Sequence, residues 1–215
     1  MRLDELEYGN PNQDQLVYLQ KESYLDYLFN ELSLDTFPLN SSDATIEELN
    51  TIVTNINTIK DKKDFIERYK NYDKNLSSFF KDGLNKSGKQ SEETSLLIDN
   101  IVEDTLPLLT KLKFHHQRPR PFQLALYYKL KLFPYKGLTN DSPSYPSGHS
   151  FQAKIITEVI GNLYPSLFAP MQRLCNDVSY SRLYLGFHYQ SDIDAGINCA
   201  KKVLASKSFT EKYKI

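Results

Sequence analysis

An all-α fold, a single-domain helical bundle, is what this sequence predicts, on three observations. Apolar residues recur at three- and four-residue spacing through most of the chain. No segment shows the strict alternation of a half-buried strand. The length, 215 residues, suits one domain of ordinary size. There are no internal repeats and no low-complexity tracts.

The elements follow in order. Residues 14–32 carry helical periodicity. Ser41-Ser42-Asp43 then precedes an apolar periodic run, an N-cap signal, with Glu47 and Glu48 suited to a first turn. Residues 62–83 are a third helical candidate, rich in Lys, Asp and aromatics. A loop at 85–93 leads to a helix over 91–113, interrupted or bent near Pro107. The chain then changes character, passing through basic and aromatic residues and a long turn-rich connection. Helices resume at 149–163, 166–187 and 191–205. Residues 1–90 therefore read as helical scaffold and 91–205 as a helical core, within one domain spanning 1–215.

Composition narrows the function. The chain is 40% hydrophobic and 25% charged with a formal net charge of -1, so it reads as soluble, with no global basic field to make nucleic acid its partner. No apolar run approaches the ~20 residues that cross a bilayer, so membrane insertion is not expected. The N-terminus lacks a basic region followed by an apolar one, which points to the cytoplasm. Cys175 and Cys199 are too few for a disulfide framework and too far apart for a metal clip; they read as small buried hydrophobes, with a single pairing left open.

Three clusters in the second half carry chemistry. In KLKFHHQRPRPF (111–122), each proline fixes its own φ and pushes the preceding arginine into an extended conformation, making Arg118 and Arg120 stiff donors suited to an oxyanion; a solvated basic helix end is the alternative. In PSGH (146–149), Ser147 can cap a helix, Gly148 permits close approach, and the free N–H groups of the helix end form an anion nest beside His149. In SRLYLGFHYQSD (181–192), Arg182 follows Val178 on an apolar helix, so it is at least partly buried and needs an anion. His188 and Asp192 stand four apart, where a carboxylate can fix the imidazole tautomer and free its other nitrogen. Cations for non-bridging oxygens, a nucleophile and an acid are together the inventory of phosphoryl transfer. No convincing metal-ligand spacing accompanies them.

These stretches resemble, in order, the K-x6-RP, PSGH and SR-x5-H-x3-D motifs of the type 2 phosphatidic acid phosphatase / vanadium haloperoxidase superfamily. The nearest likeness is to the bacterial class A non-specific acid phosphatases, which share the RPF ending and the G-aromatic-H-aromatic-QSD phrase of residues 186–192. The motifs cover roughly 111–194. The first motif fits two registers, Lys111 with Arg118 or Lys113 with Arg120. Phe122 favours the second, leaving Lys111 as a solvated side chain and Arg118 near the phosphate. The resemblance implies the bundle of that superfamily and a metal-independent phosphomonoester hydrolase with no cofactor, inhibited by vanadate. His188 would be the nucleophile, Asp192 its orienter and His149 the general acid. Lys113, Arg120, Ser147, Gly148 and Arg182 would bind phosphate. Asp194 is expected in the first turn of the next helix.

His115 and His116 depart from the aromatic pair of the acid phosphatases. They either line a substrate mouth with Arg118 or replace the aromatics in packing. The resemblance also implies a homodimer or larger assembly, and an exported location at odds with the cytoplasmic expectation. Three alternatives stand beside the acid phosphatase: a haloperoxidase with vanadate as cofactor, a lipid-phosphate phosphatase acting on presented lipid, and a non-catalytic phosphate binder.

Overall fold

The structure, a computed structural model, describes residues 2–214. Among these the chain forms α-helices joined by loops and short 3₁₀ turns, without strands. Where periodicity predicts one helix at 14–32, there are two, α1 (Gln13–Gln20) and α2 (Phe29–Leu32). Between them the backbone N–H of Ser23 donates to Asp26 Oδ2 at 2.9 Å and that of Leu25 to Ser23 Oγ at 3.2 Å. Lys111 donates to the Lys21 carbonyl at 2.9 Å and to Asp26 Oδ2 at 2.7 Å. This local polar closure, tied by a distant cation, replaces the helical ladder. Lys111 is thus an intramolecular tie rather than a solvated side chain.

Helix α3 (Asp43–Ile59) is capped by Ser42, whose Oγ accepts from the Thr45 N–H. The single helix expected over 62–83 is also two, α4 (Lys63–Lys74) and α5 (Leu76–Lys86). Asn75 leaves the helical region (φ −155°, ψ 88°) and caps α5 with its own side chain. Helix α6 (Glu92–His116) runs unbroken through Pro107. A short α7 (Pro121–Ala125) begins with proline at its first position, where the missing N–H costs nothing. Helices α8 (Gly148–Leu163), α9 (Phe168–Tyr184) and α10 (Gln190–Leu204) lie where the periodicity puts them. A further helix, α11 (Lys207–Tyr213), buries Phe209 and Tyr213 and lay outside the expectation.

Helix α8 is the axis of the core. Phe151, Ile155, Ile156, Val159 and Ile160 are all fully buried, and α9, α10 and α6 pack around it. Each such side chain contributes about 1.5–3 kcal/mol by burial, so the N-terminal end of α8 is a fixed point of the molecule. Gly196 lets α10 close onto that end: a Cβ there would fall 2.5 Å from the Ser147 carbonyl oxygen. Cys175 and Cys199 are buried free thiols. Among the described residues, no helix is long and apolar enough to cross a membrane.

Candidate active site

The three sequence clusters converge at the N-terminus of α8. Helix α6 stops at Gln117, which takes the left-handed conformation at φ 51°. Lys113 lies in its last turn, buried, with Nζ donating to the Pro143 carbonyl at 2.7 Å. The Arg-Pro-Arg-Pro segment that follows is extended at Arg120 (φ −66°, ψ 153°), close to polyproline II values, where about three residues make one turn and residues two apart point in different directions. Arg120 turns toward the cleft. Its Nε donates to the Ser142 carbonyl at 2.6 Å, and its Nη1 donates to the Phe187 carbonyl at 2.9 Å and meets His188 Nε2 at 3.0 Å. Arg118 turns away. It donates to Asp192 Oδ1 at 2.6 Å, Ser191 Oγ at 2.8 Å and Glu48 Oε2 at 3.2 Å, between the rings of Tyr189 and Phe37.

Ser147 caps α8, its Oγ accepting weakly from the Ser150 N–H and lying 3.0 Å from Ser150 Oγ. The N–H groups of Gly148 and His149 belong to the first turn, where no intrahelical acceptor exists. A side chain at Gly148 would place Cβ 2.8 Å from Leu109 Cδ2, so α6 approaches this turn closely.

The third cluster owes its shape to the end of α9. Gly186, at φ 78°, reverses the chain. Its N–H donates to the Leu183 carbonyl, and that of Phe187 donates to the Arg182 carbonyl at 2.9 Å, a Schellman closure. This turn sets the spacing between Arg182 and His188 and presents the imidazole to the cleft. Asp192, in the first turn of α10, meets His188 Nδ1 at 3.1 Å and accepts from the Tyr189 N–H at 3.0 Å. Its own carbonyl accepts from the Ser147 N–H at 2.9 Å, joining the second and third clusters directly. Arginine can only donate, so His188 Nε2 presents its lone pair to Arg120 and Nδ1 carries the hydrogen toward Asp192.

The electrostatic balance is uneven in an informative way. Arg182 is fully buried and donates through Nη2 to Asp73 Oδ1 at 2.8 Å; among the described residues its Nε and Nη1 have no acceptor. Arg118 has Asp192 and Glu48. Among the described residues Lys113 and Arg120 have no carboxylate partner. Burial, then Arg120, pushes the Lys113 ammonium well below its ordinary value. Burial, then neighbouring Arg182, lowers Arg120 to about 10. Burial and Arg120 hold His188 far below an ordinary histidine. Burial and Arg182 lower His149 to about 3. For Asp192, burial pushes upward, but Arg118 and the bonds from His188 and Tyr189 outweigh it and keep the carboxyl ionised. Burial and the neighbouring cations therefore disfavour the protonated forms of Lys113, His149 and His188.

Lys113, Arg120, Gly148, His149 and His188 line one cleft of about 290 Å³. Ser147, Arg182 and Asp192 do not line it: Ser147 precedes Gly148, Asp192 meets His188, and the Arg182 carbonyl accepts from the His188 N–H at 3.4 Å while its side chain meets Asp73 and Thr139. His115, His116 and Arg118, the candidate mouth residues, do not line it. His115 packs edge-on against Phe29 and His116, and His116 against Phe37 and Tyr145, which is the packing role. Burial, then neighbouring His115, lowers His116 to about 4. Arg118 does not reach the mouth because Asp192, Ser191 and Glu48 hold its guanidinium. Asp194, expected in the first turn of α10, lies one turn in, because the helix begins at Gln190; it accepts from Gln190 at the surface.

Two acids were missed. Asp73 on α4 accepts from Arg182, from the Leu138 N–H at 2.5 Å and from Thr139 Oγ1. Glu48 on α3 accepts from Arg118, and from the Ser191 N–H at 2.6 Å and Oγ at 2.9 Å. The available signal was indirect: a buried arginine requires a carboxylate, and neither motif supplied one for Arg182.

Residues 94–200 match the PAP2 superfamily. The chain is 29% identical over 115 residues to a non-specific acid phosphatase of Salmonella typhi, covering 53% of this chain and 46% of that protein. It is 28% identical over 119 residues to one of Providencia stuartii, covering 55% and 48%. The chain thus aligns with about half the length of these relatives. A crystal structure of a transmembrane PAP2-type phosphatidylglycerolphosphate phosphatase from Bacillus subtilis has a similar fold. Its TM-score is 0.52 at 19% identity, over 87% of this chain and 94% of that one.

Proposed function

Since this chain belongs to the PAP2 superfamily, we propose that it is a phosphomonoester hydrolase working through a phosphohistidine at His188 without a metal. The observation that supports this reading is that Lys113 and Arg120, buried and without carboxylate partners among the described residues, share one cleft with His188, whose Nε2 meets Arg120. Two uncompensated cations match a phosphate dianion. The free Nε–H and Nη1–H of Arg182 add donors that water cannot reach.

Binding begins with Arg120 exchanging its contact with His188 Nε2 for a phosphate oxygen, which releases the lone pair. Lys113, Arg182, the Ser147 hydroxyl and the first N–H groups of α8 take the other oxygens and stabilise the charge that spreads over them in the transition state. Nε2 attacks phosphorus; the N–P bond forms as the P–O bond to the leaving group breaks. Asp192 stabilises the imidazolium through Nδ1–H. His149, whose proton affinity rises once the anion is bound, protonates the departing alkoxide. It then takes a proton from water as that water attacks phosphorus. The N–P bond breaks, Nε2 recovers its lone pair and phosphate leaves.

Hydrolysis of p-nitrophenyl phosphate between about pH 4 and 8 tests this, with EDTA, orthovanadate and His188→Ala in parallel. Activity that EDTA spares, vanadate blocks and the variant lacks is expected, with an acidic optimum because His149 must be protonated to act. Activity retained in His188→Ala, or an optimum well above about pH 8, refutes the mechanism.

A further inference from the structure

The cleft has a second half that the phosphate cage does not use. Helix α1 lies across its mouth, packed on α6, yet buries none of its own residues fully. It is held there by polar bonds to the connection before α8: Asn12 Nδ2 donates to Asp141 Oδ2 at 3.1 Å and Gln15 Nε2 to the Asp141 carbonyl at 2.8 Å. Tyr18, Leu106 and Leu109 give this outer half an apolar wall, and Asp14 and Asp141 give it an exposed acidic rim. Among the described residues the only lining cations are Lys113 and Arg120, both committed to the first phosphate. A volume of about 290 Å³ is at the small end of ligand pockets.

We propose that α1 and the 138–141 loop form the leaving-group subsite, selecting small phosphomonoesters whose leaving group is apolar and neutral or cationic, and disfavouring a second anionic group. This rests on the phosphatase reading above. A second anion would meet the carboxylates of Asp14 and Asp141 with no cation to answer them. An aryl or alkyl group would exchange water for the faces of Tyr18 and the leucines, while an amine would be attracted to the rim.

Three isosteres test it: phenyl phosphate, 4-carboxyphenyl phosphate and 4-(aminomethyl)phenyl phosphate, compared by kcat/KM at low and raised salt. The carboxylate should fall below the neutral ester by roughly three- to ten-fold, the size expected of exposed charges at low ionic strength, and salt should narrow the gap. Asp14→Asn should narrow the carboxylate-to-amine ratio, and so should Asp141→Asn. Tyr18→Ala should lower kcat/KM for phenyl phosphate more than for glycerol phosphate. Equal kcat/KM for the three isosteres, or ratios unchanged in both aspartate variants, overturns the subsite. Calorimetric affinities of the matching phosphonates, which cannot turn over, read the same selectivity. Discrimination there without any ester hydrolysis would sink the phosphatase reading and leave the subsite standing; absence of discrimination sinks the subsite.

Discussion

Replacing Asp73 by Asn removes one charge from a pair sealed inside the protein. Arg182 is fully buried, and its Nη2 lies 2.8 Å from Asp73 Oδ1. With charge centres about 4 Å apart and an effective dielectric of about 20, their attraction is roughly 4 kcal/mol. Breaking a buried pair by deleting one partner typically costs about 3–5 kcal/mol. Asparagine keeps one oxygen for the Leu138 N–H or Thr139, which sets the expectation at the lower end, about 3 kcal/mol. The assay is guanidinium denaturation near neutral pH, with and without orthovanadate. In the wild type an anion at one hundred times its Kd adds about 2.7 kcal/mol. In Asp73→Asn the gain should be larger, because Arg182 then turns its charge to the anion with no competing carboxylate. A destabilisation under about 1 kcal/mol refutes the energetic reasoning. An anion gain no larger than in the wild type refutes the placement of Arg182 in the cage.

Three further outcomes are expected. Gly196→Ala drives a Cβ against the Ser147 carbonyl and must spread α10 from α8; denaturation should show a loss of about 1–3 kcal/mol, with kcat falling because His188 moves from the helix end. Arg118→Ala frees Asp192 and Ser191 without touching phosphate, so kcat should drop on the order of ten-fold or more while KM changes little, and the pH–rate profile should shift as Asp192, the orienter of His188, loses its anchor. Stability without ligand should fall with acid. His149 titrates near 6.5 unfolded but near 3 folded, so between these values the unfolded chain binds more protons, and stability is full above the upper value and erodes below it. Thermal melts across that range should show this, and vanadate should flatten the slope by raising the folded pKa.

The half that carries the three motifs was legible because its polar residues are compressed into short segments. Ser147 and Gly148 announce a helix end, and four-residue spacing places Asp192 behind His188. The choice of Lys113 over Lys111 followed from Phe122, and the cleft holds Lys113. What was illegible depended on partners far along the chain. The break after α1 needs Lys111 to reach Asp26, and nothing local in 14–32 foretells it. Asn75 splits α4 from α5 as a cap, a role its sequence neighbours hide among polar residues. Arg118 read as a mouth residue near the phosphate because stiffness is visible in Arg-Pro-Arg-Pro, whereas the direction of each side chain is not. Glu48 and Asp73 sit on helices of ordinary polar composition, where an acid is normally a solvated face.

The pairs Arg118–Glu48 and Arg182–Asp73 span 70 and 109 residues. The family match begins at residue 94, after both acids. A fragment cut at that boundary would carry every motif and still leave Arg182 without its carboxylate and Arg118 without one of two. Synthesis runs the other way: the acids emerge from the ribosome well before the arginines they receive. Under the proposed mechanism, activity would report complete tertiary assembly, because the supports of His188 and Arg182 form only when the C-terminal helices dock onto the helices that carry Glu48 and Asp73.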